Sequence, residues 1–514
     1  METNSVSANN KRIAVNTLML YIRMFLTMAV TFYTSRVVLQ VLGVTDFGIY
    51  NVVGGVVVMF SFLNASMSGA TSRFLTFEMA NGTMQTLRQT FGNAMSLHLI
   101  IAGVILLIAE TVGLWFILYK LVIPPERMET AVWVYQFSIL TMMITVTQVP
   151  YNAIIIAHER MNVYAYVEIL NVLLKLGVVF LLIGWDKDKL LFYAILLFGV
   201  SFIVAMTYRV YCVRHFAESR SRLYFQRKRI LPMLSFSGWD LYGNMSTVAR
   251  TQGINMLLNI FFGPALNAAN GVATQVQAGI MGFASNIVIA VKPQIIKSYA
   301  TGNYERVRSL VFNASKGTFL LLLLLSLPLI FEMQWVLSLW LGNVPAHAAS
   351  FCVLTLLFNF FATMSFVVVT VAHAAGKIKR PSLINGTLYL SVIPISYLMF
   401  YLGGTPETSY IYNVVAVGLG LLGNVWTAHF YVPGFSFYEY FFKVFCRCML
   451  VLLLASAIIW SVRELFPSAS LYRFLAVGFA STFSIVFIGM HILFNHTTRV
   501  YIWQMIRKKI WSKA

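Results

Sequence analysis

Residues 190–208 read LLFYAILLFGVSFIVAMTY, a run without a single charge, set between Asp186-Lys-Asp-Lys189 and Arg209. As a helix rising 1.5 Å per residue, such a run crosses the roughly 30 Å hydrocarbon core of a bilayer. Comparable runs fill the rest of the chain. Of its 514 residues 59% are hydrophobic and 11% charged, whereas soluble domains hold about 45–50% and about 25%. That composition excludes a soluble enzyme, a disordered chain and a coiled coil. The fold it implies is an all-α polytopic membrane protein.

Charged or Gly/Pro-rich breaks delimit about fourteen spans. The first six are 14–42, 48–72, 92–118, 130–157, 163–184 and 190–213. Six more follow at 231–262, 266–296, 312–334, 348–375, 382–403 and 409–430. Two extra spans lie at 442–462 and 470–494. Fourteen spans put both termini on one side, and basic residues choose the side. With the N-terminus inside, 26 of the 37 Lys and Arg residues fall in cytoplasmic segments and 6 in outer loops. Most of the net charge of +20 is thereby accounted for by orientation and by anionic lipid, without nucleic acid. The expected location is an inner membrane, with both termini cytoplasmic. The first span follows Lys11-Arg12 and carries Arg23, which is not the pattern of a cleavable signal peptide.

The spans repeat. Sliding the chain by 220 pairs Gly43 with Gly263, Val52 with Val272, Ala70 with Ala290, Gly82 with Gly302 and Asn93-Ala94 with Asn313-Ala314. Six spans per copy, an even number, make the repeat parallel. The expected domains are a six-helix lobe over 1–213, a basic cytoplasmic linker over 214–229, a second six-helix lobe over 230–432, and two extra helices with a basic tail over 433–514. Two such lobes around a cleft describe an alternating-access transporter.

Polar residues at membrane depth are costly, about 2.5–3.5 kcal/mol for a charge at the centre on insertion scales, so they mark interiors or water-filled cavities. Span 1 carries Arg23, Thr27, Thr31 and Thr34 on one helical face. Span 2 carries Ser61, Asn64, Ser68 and Thr71. Span 7 carries Asp240, Gly243, Thr247 and Arg250. Span 8 carries Asn267, Asn270, Thr274 and Gln277, with Lys292 beyond. Span 5 carries Glu168, Asn171 and Lys175, the acid and the base two turns apart and spaced to neutralise each other. His98 lies in span 3. Four deep cations, Arg23, Lys175, Arg250 and Lys292, outnumber the deep acids Asp240 and Glu168, so a shared cavity would attract an anion. Arginine suits phosphate through its two-pronged guanidinium. Asp240, Glu168 and His98 are the candidates for ion coupling or internal pairing. Thr27, Asn64, Asn270 and Gln277 are the candidates for polar lining.

Other motifs fail on context. Asp186-Lys-Asp188 resembles a glycosyltransferase acid pair but sits in a very short outer loop. His158-Glu159 lacks the second histidine of a zinc motif. The four cysteines form neither a disulfide framework nor a metal spacing. No phosphate-binding GxxxxGK[ST] loop occurs, so neither cofactor, metal nor ATP hydrolysis is expected.

The run Leu42-Gly-Val-Thr-Asp-Phe-Gly-Ile-Tyr-Asn-Val-Val-Gly-Gly55 resembles the first outer turn and second span of bacterial polysaccharide-lipid flippases of the Wzx type. So do Ser72-Arg-Phe-Leu-Thr-Phe77, Pro150-Tyr-Asn-Ala153 with Ala157-His-Glu-Arg160, and Phe236-Ser-Gly-Trp239. The resemblance extends from about residue 12 to about 430. It implies a V-shaped cavity lined by cations and a cargo of oligosaccharide repeat units on undecaprenyl pyrophosphate, moved from inner to outer leaflet for surface polysaccharide. By span, Arg23 and the basic groups of spans 7 and 8 would meet the head group. A polysaccharide polymerase and a chain-length regulator are the partners it implies. A peptidoglycan-precursor flippase and a drug or toxin extruder share the fold. A membrane polymerase or glycosyltransferase would need a larger outer loop.

Overall fold

The computed structural model describes residues 2–493 apart from Glu159 and Ser237; the side chains before Thr27, and a few others within helices, fall outside the description. The described chain is helical throughout, with no strand. In the first half the helices are α1 (Glu2–Val58), α2 (Ser61–Asn81), α3 (Met84–Ile108), α4 (Leu114–Tyr119), α5 (Met128–Ala157), α6 (Met161–Ile183) and α7 (Lys189–His215). Next come α8 (Arg227–Phe236), α9 (Gly238–Phe262), α10 (Pro264–Ala300), α11 (Tyr304–Leu341), α12 (Ala348–Ala374), α13 (Lys379–Tyr401) and α14 (Glu407–Tyr431). The last are α15 (Phe437–Tyr440), α16 (Cys446–Glu464) and α17 (Leu471–Leu493).

All fourteen expected spans fall on helix. Among the described residues, eleven helices are long and apolar enough to cross a membrane. The expected spans that do not qualify separately lie on α2, α9 and α10, which are rich in Gly, Asn, Ser and Thr. Spans 1 and 2 run together in α1, broken at Gly43, whose φ of 77° and ψ of 170° lie outside helical geometry. That left-handed φ costs an L side chain about 1–2 kcal/mol and glycine almost nothing. Gly263, 220 residues later, ends α9 with a φ of 83°. The caps repeat the same interval: Thr83 caps α3 through the Thr86 N–H, and Asn303 caps α11 through the Arg306 N–H. Span 3 contains a π-helical turn at Ala109–Gly113. The loosened Ala109 carbonyl accepts the Tyr135 hydroxyl at 2.7 Å, so a fully buried phenol finds its partner in the helix irregularity.

Contacts divide the chain into two compact units, Met1–Gly271 and Val272–Ala514. In the first, one apolar core gathers Ile49, Val52, Val53, Ile105, Tyr135 and Val146. A second, formed by Leu75, Phe91, Ile154, Cys212 and Phe216, ties the ends of α3, α5 and α7 together. Here too Gly48 meets Pro264 and Ala268, and Asn51 meets Gly271. Ala268 and Gly271 are the counterparts of Gly48 and Asn51 at the 220 interval, and equivalent residues touching each other are what a local two-fold relation produces.

In the second unit the core runs through Phe319, Leu323, Phe360, Val367, Leu421 and Val451. The extra helices α16 and α17 belong to it through Val451, Ile459, Val477 and Ile485. Phe479, Phe483 and Phe487 stand on one exposed face of α17, at 77%, 65% and 58%. Water would penalise such a face and hydrocarbon would not.

Candidate functional site

A cavity of about 520 Å³ opens within the first unit. Thr31, Thr34 and Ser35 reach it from α1, Ser61 from the start of α2, Ser138, Thr141 and Thr145 from α5, and Ser201 from α7. Their spacings of three and four turn one face of each helix inward. Several of these hydroxyls already donate to a carbonyl one turn back in their own helix: Thr34 and Ser35 to Thr31, Ser138 to Val134, Thr141 to Phe137 and Thr145 to Thr141. Their lone pairs remain for a ligand, and those donations satisfy the hydroxyl protons in a low dielectric. Tyr50 and Tyr193 line the same space, their rings edge to face at 5.0 Å. Among the described residues of the lining Lys175 is the one cation, and none is an acid. The structure thus brings Lys175 together with Thr31 and Thr34 of the stripe expected on span 1 and Ser61 of that expected on span 2.

Glu168 does not pair with Lys175; among the described residues neither makes an ion pair. The two-turn spacing therefore does not neutralise Lys175. Thr27 is half-buried on α1. The side chains of Arg23, Asn64 and Asp240 lie outside the described residues. Arg250 is buried on α9, 5% exposed. Lys292 is exposed on α10.

The remaining polar residues form packed networks. Asn255 accepts from Asn267 at 2.8 Å and from Asn270 at 2.9 Å, and donates to the Asn51 carbonyl at 3.1 Å. Asn259 accepts the Val122 N–H at 2.7 Å and donates to the Val122 carbonyl and to Asn267. In the second unit Gln277 donates to Asn359 at 3.3 Å, and Asn424 donates to Ser365 and Asn385. His98 is fully buried; its Nδ1 lies 2.8 Å from the Ala94 carbonyl one turn back.

The segment expected as a linker is docked on the first unit. Glu218, 2% exposed, meets His158 at 2.5 Å, and the His158 ring stacks on Phe216. Asn93 accepts the Gln226 N–H at 2.6 Å. Arg229 reaches Glu78 and Thr90, both at 2.9 Å. Asp188, the second acid of the rejected glycosyltransferase-like pair, caps α7 and receives Thr130 at 2.6 Å and Arg127 at 3.2 Å. Burial alone would raise the Asp188 carboxyl, but the Thr130 hydroxyl, the Leu191 N–H and the Arg127 guanidinium outweigh it and hold it below its ordinary value.

Sequence reading also missed a buried charge cluster in the second unit. Glu332, 2% exposed, lies where α11 departs from helical geometry, with Arg473 at 2.7 Å and Arg463 at 3.4 Å. The signal was present as one acid in a long apolar run with two arginines in the later outer loop, but nothing in the spacing joins them.

No family model matches the chain, and no curated protein does. Solved structures do. One described as the lipid II flippase MurJ in an inward closed conformation superimposes with a TM-score of 0.67 over 93% of this chain and 98% of its own, at 13% identity. An inward-facing multidrug resistance MATE family transporter of the MOP superfamily gives 0.58 over 79% and 93%, at 14% identity. A MOP superfamily transporter from Pyrococcus furiosus, described with a binding pocket of reverse polarity, gives 0.53 over 80% and 94%, at 15% identity. The chain has the fold of these transporters.

Proposed function

We propose that the chain flips a polyprenyl-pyrophosphate-linked oligosaccharide across the membrane, by alternating access of six-helix lobes at 1–213 and 230–432. The observation that carries this reading is the hydroxyl-lined cavity of the first unit, in which Lys175 is the one cation and no acid appears among the described lining residues. Lys175 is exposed, and Arg250 is buried on α9. A cation set among hydroxyls fits an anionic head group, and hydroxyls fit sugars. In this reading Arg23, Arg250 and Lys292 hold the pyrophosphate, Lys175 and the threonine stripe meet sugar, and the prenyl tail stays in lipid. Asp240 is the proposed coupling group. The cargo is bound and moved, and no bond is made or broken. Undecaprenyl pyrophosphate as the carrier, a bacterial inner membrane, and a polymerase with its chain-length regulator as partners belong to the same proposal.

A second reading, a flippase of the peptidoglycan precursor, is favoured by the neighbour described as acting on lipid II, whose fold matches 93% of the chain against 79–80% for the MATE and Pyrococcus neighbours. Lipid analysis of a deletion strain separates the two. On the first reading, repeat units on the lipid carrier accumulate in the inner leaflet and surface polysaccharide disappears. Accumulated lipid II with normal surface polysaccharide would favour the second. If both pools are unchanged and sensitivity to cationic drugs rises, both fall and an extruder remains. Complementation with Arg250→Ala or Lys175→Ala should restore flux about 10- to 100-fold less well than wild type, the value of a lost charge-assisted contact of about 1.5–3 kcal/mol.

A further inference from the structure

A second, smaller pocket of about 270 Å³ lies in the second unit, where α10 turns into α11. Gln294, Lys297, Ser298, Thr301, Asn303 and Arg306 line it. Lys297 sits in the last turn of α10 and Arg306 in the first turn of α11, and neither forms an ion pair among the described residues. Glu305 lies beside Arg306 in sequence but is not part of the lining. Asn303 spends its carbonyl oxygen on the Arg306 N–H, which leaves its amide protons for a ligand. Ser298 is 6% exposed, yet its hydroxyl makes no hydrogen bond among the described residues, and it borders the pocket. That hydroxyl is left to donate to an anion in the pocket.

The first half of the chain shows the same turn closed. At the 220 interval Ser298 corresponds to Glu78, Gln294 to Phe74 and Lys297 to Phe77. Glu78 takes Arg229 of α8 at 2.9 Å, so the acid of that turn is matched by a cation from another helix. In the second half the acid is replaced by serine, the phenylalanines by an amide and an ammonium, and the cations are left unanswered.

The geometry points to a phosphate-binding site at the α10–α11 turn, formed by Lys297, Arg306, Ser298 and the amide of Asn303. Two separate cations with short neutral donors between them suit a tetrahedral anion. The basic-residue asymmetry assigns this turn to the cytoplasmic side, where phosphate comes either on a lipid head group or on a soluble metabolite. None of its residues is among the cargo-binding groups proposed above, and it stands whether or not that reading does.

The test uses the full-length purified protein in neutral detergent with two probes, inorganic phosphate and phosphatidylglycerol, and phosphatidylcholine as the blank. The thermal midpoint of the wild type should rise saturably with at least one probe. Response to phosphatidylglycerol alone identifies a lipid head group; response to phosphate identifies a soluble ligand. Lys297→Gln/Arg306→Gln should shift half-saturation at least about tenfold. Ser298→Glu restores the acid found in the first half. It should abolish the response without lowering the ligand-free midpoint, so loss of binding cannot be mistaken for loss of fold. No saturable response from the wild type to either probe, or a full response from Ser298→Glu, would overturn the site.

Discussion

Two arginine–carboxylate clusters anchor the two units, and they differ in burial rather than in chemistry. In the first unit Arg127 bridges Asp46 and Asp188, with side chains 25%, 19% and 30% exposed. In the second, Arg473 and Arg463 converge on Glu332, whose side chain is 1% exposed. Water shares the first cluster, so its charges are stabilised whether or not they meet. In the second, water reaches Arg463, 37% exposed, but hardly reaches Glu332 or Arg473, so Glu332 depends on its arginines. A buried pair adds little over an apolar packing, yet breaking it is expensive because one charge is stranded. The second cluster therefore fixes where α16 and α17 lie against α11, and the first ties α1 and the start of α7 to the turn before α5.

Arg473→Met should be the most damaging substitution at these anchors. Stranding Glu332 is worth about 3–5 kcal/mol, toward the lower figure because Arg463 remains at 3.4 Å. The double variant Glu332→Gln/Arg473→Met should recover much of the loss in thermal unfolding of the detergent-solubilised protein. A single variant that unfolds like wild type would mean that Glu332 is hydrated, and the contrast between the clusters would collapse.

The glycines of the repeat give the next effect. A Cβ at Gly43 or at Gly263 would meet nothing within 4 Å, so Gly→Ala at either should cost only the left-handed backbone, about 1–2 kcal/mol each. At Gly48 the same methyl would lie 1.9 Å from the Pro264 carbonyl oxygen, and backbone must move. Gly48→Ala should therefore lower the midpoint more than either. Very unequal costs at Gly43 and Gly263 would show that the 220 interval is not structural.

Much of this was legible before any coordinates. Length and hydropathy located all fourteen helical segments, because a bilayer leaves the backbone few alternatives to helix. The interval from Gly43 to Gly263 was visible because a required positive φ selects glycine in both copies. Span boundaries read less well: the break after Val58 carries no proline or charge to announce it. Polar stripes were legible as positions but not as partners. Asn267 and Asn270 share a face with Thr274, yet the first two are consumed by Asn255, a residue 12 and 15 positions away, whereas Thr274 is exposed. Arg127–Asp188 and Glu332–Arg473 join residues 61 and 141 apart, and no local pattern encodes a pairing across such distances.

The smallest effect tests the exposed side of the comparison through pH. Asp188 titrates lower in the folded chain than its ordinary 3.8, so its ion pair with Arg127 and its hydrogen bonds favour the folded state while the carboxyl is ionised. That contribution is complete above the ordinary value and drains away as pH falls through the lower folded value. Asp188→Asn should therefore cost up to about 1 kcal/mol at neutral pH, and the gap from wild type should shrink below about pH 4. Salt should shrink it as well, since the Debye length falls from about 10 Å at 0.1 M to about 3 Å at 1 M and these side chains are within reach of solvent. The Glu332–Arg473 pair, shielded from solvent, should keep its effect across the same salt range. A gap at Asp188 that widened toward acid, or that ignored salt while the Glu332 gap responded, would reverse the assignment of which anchor is buried in energetic terms.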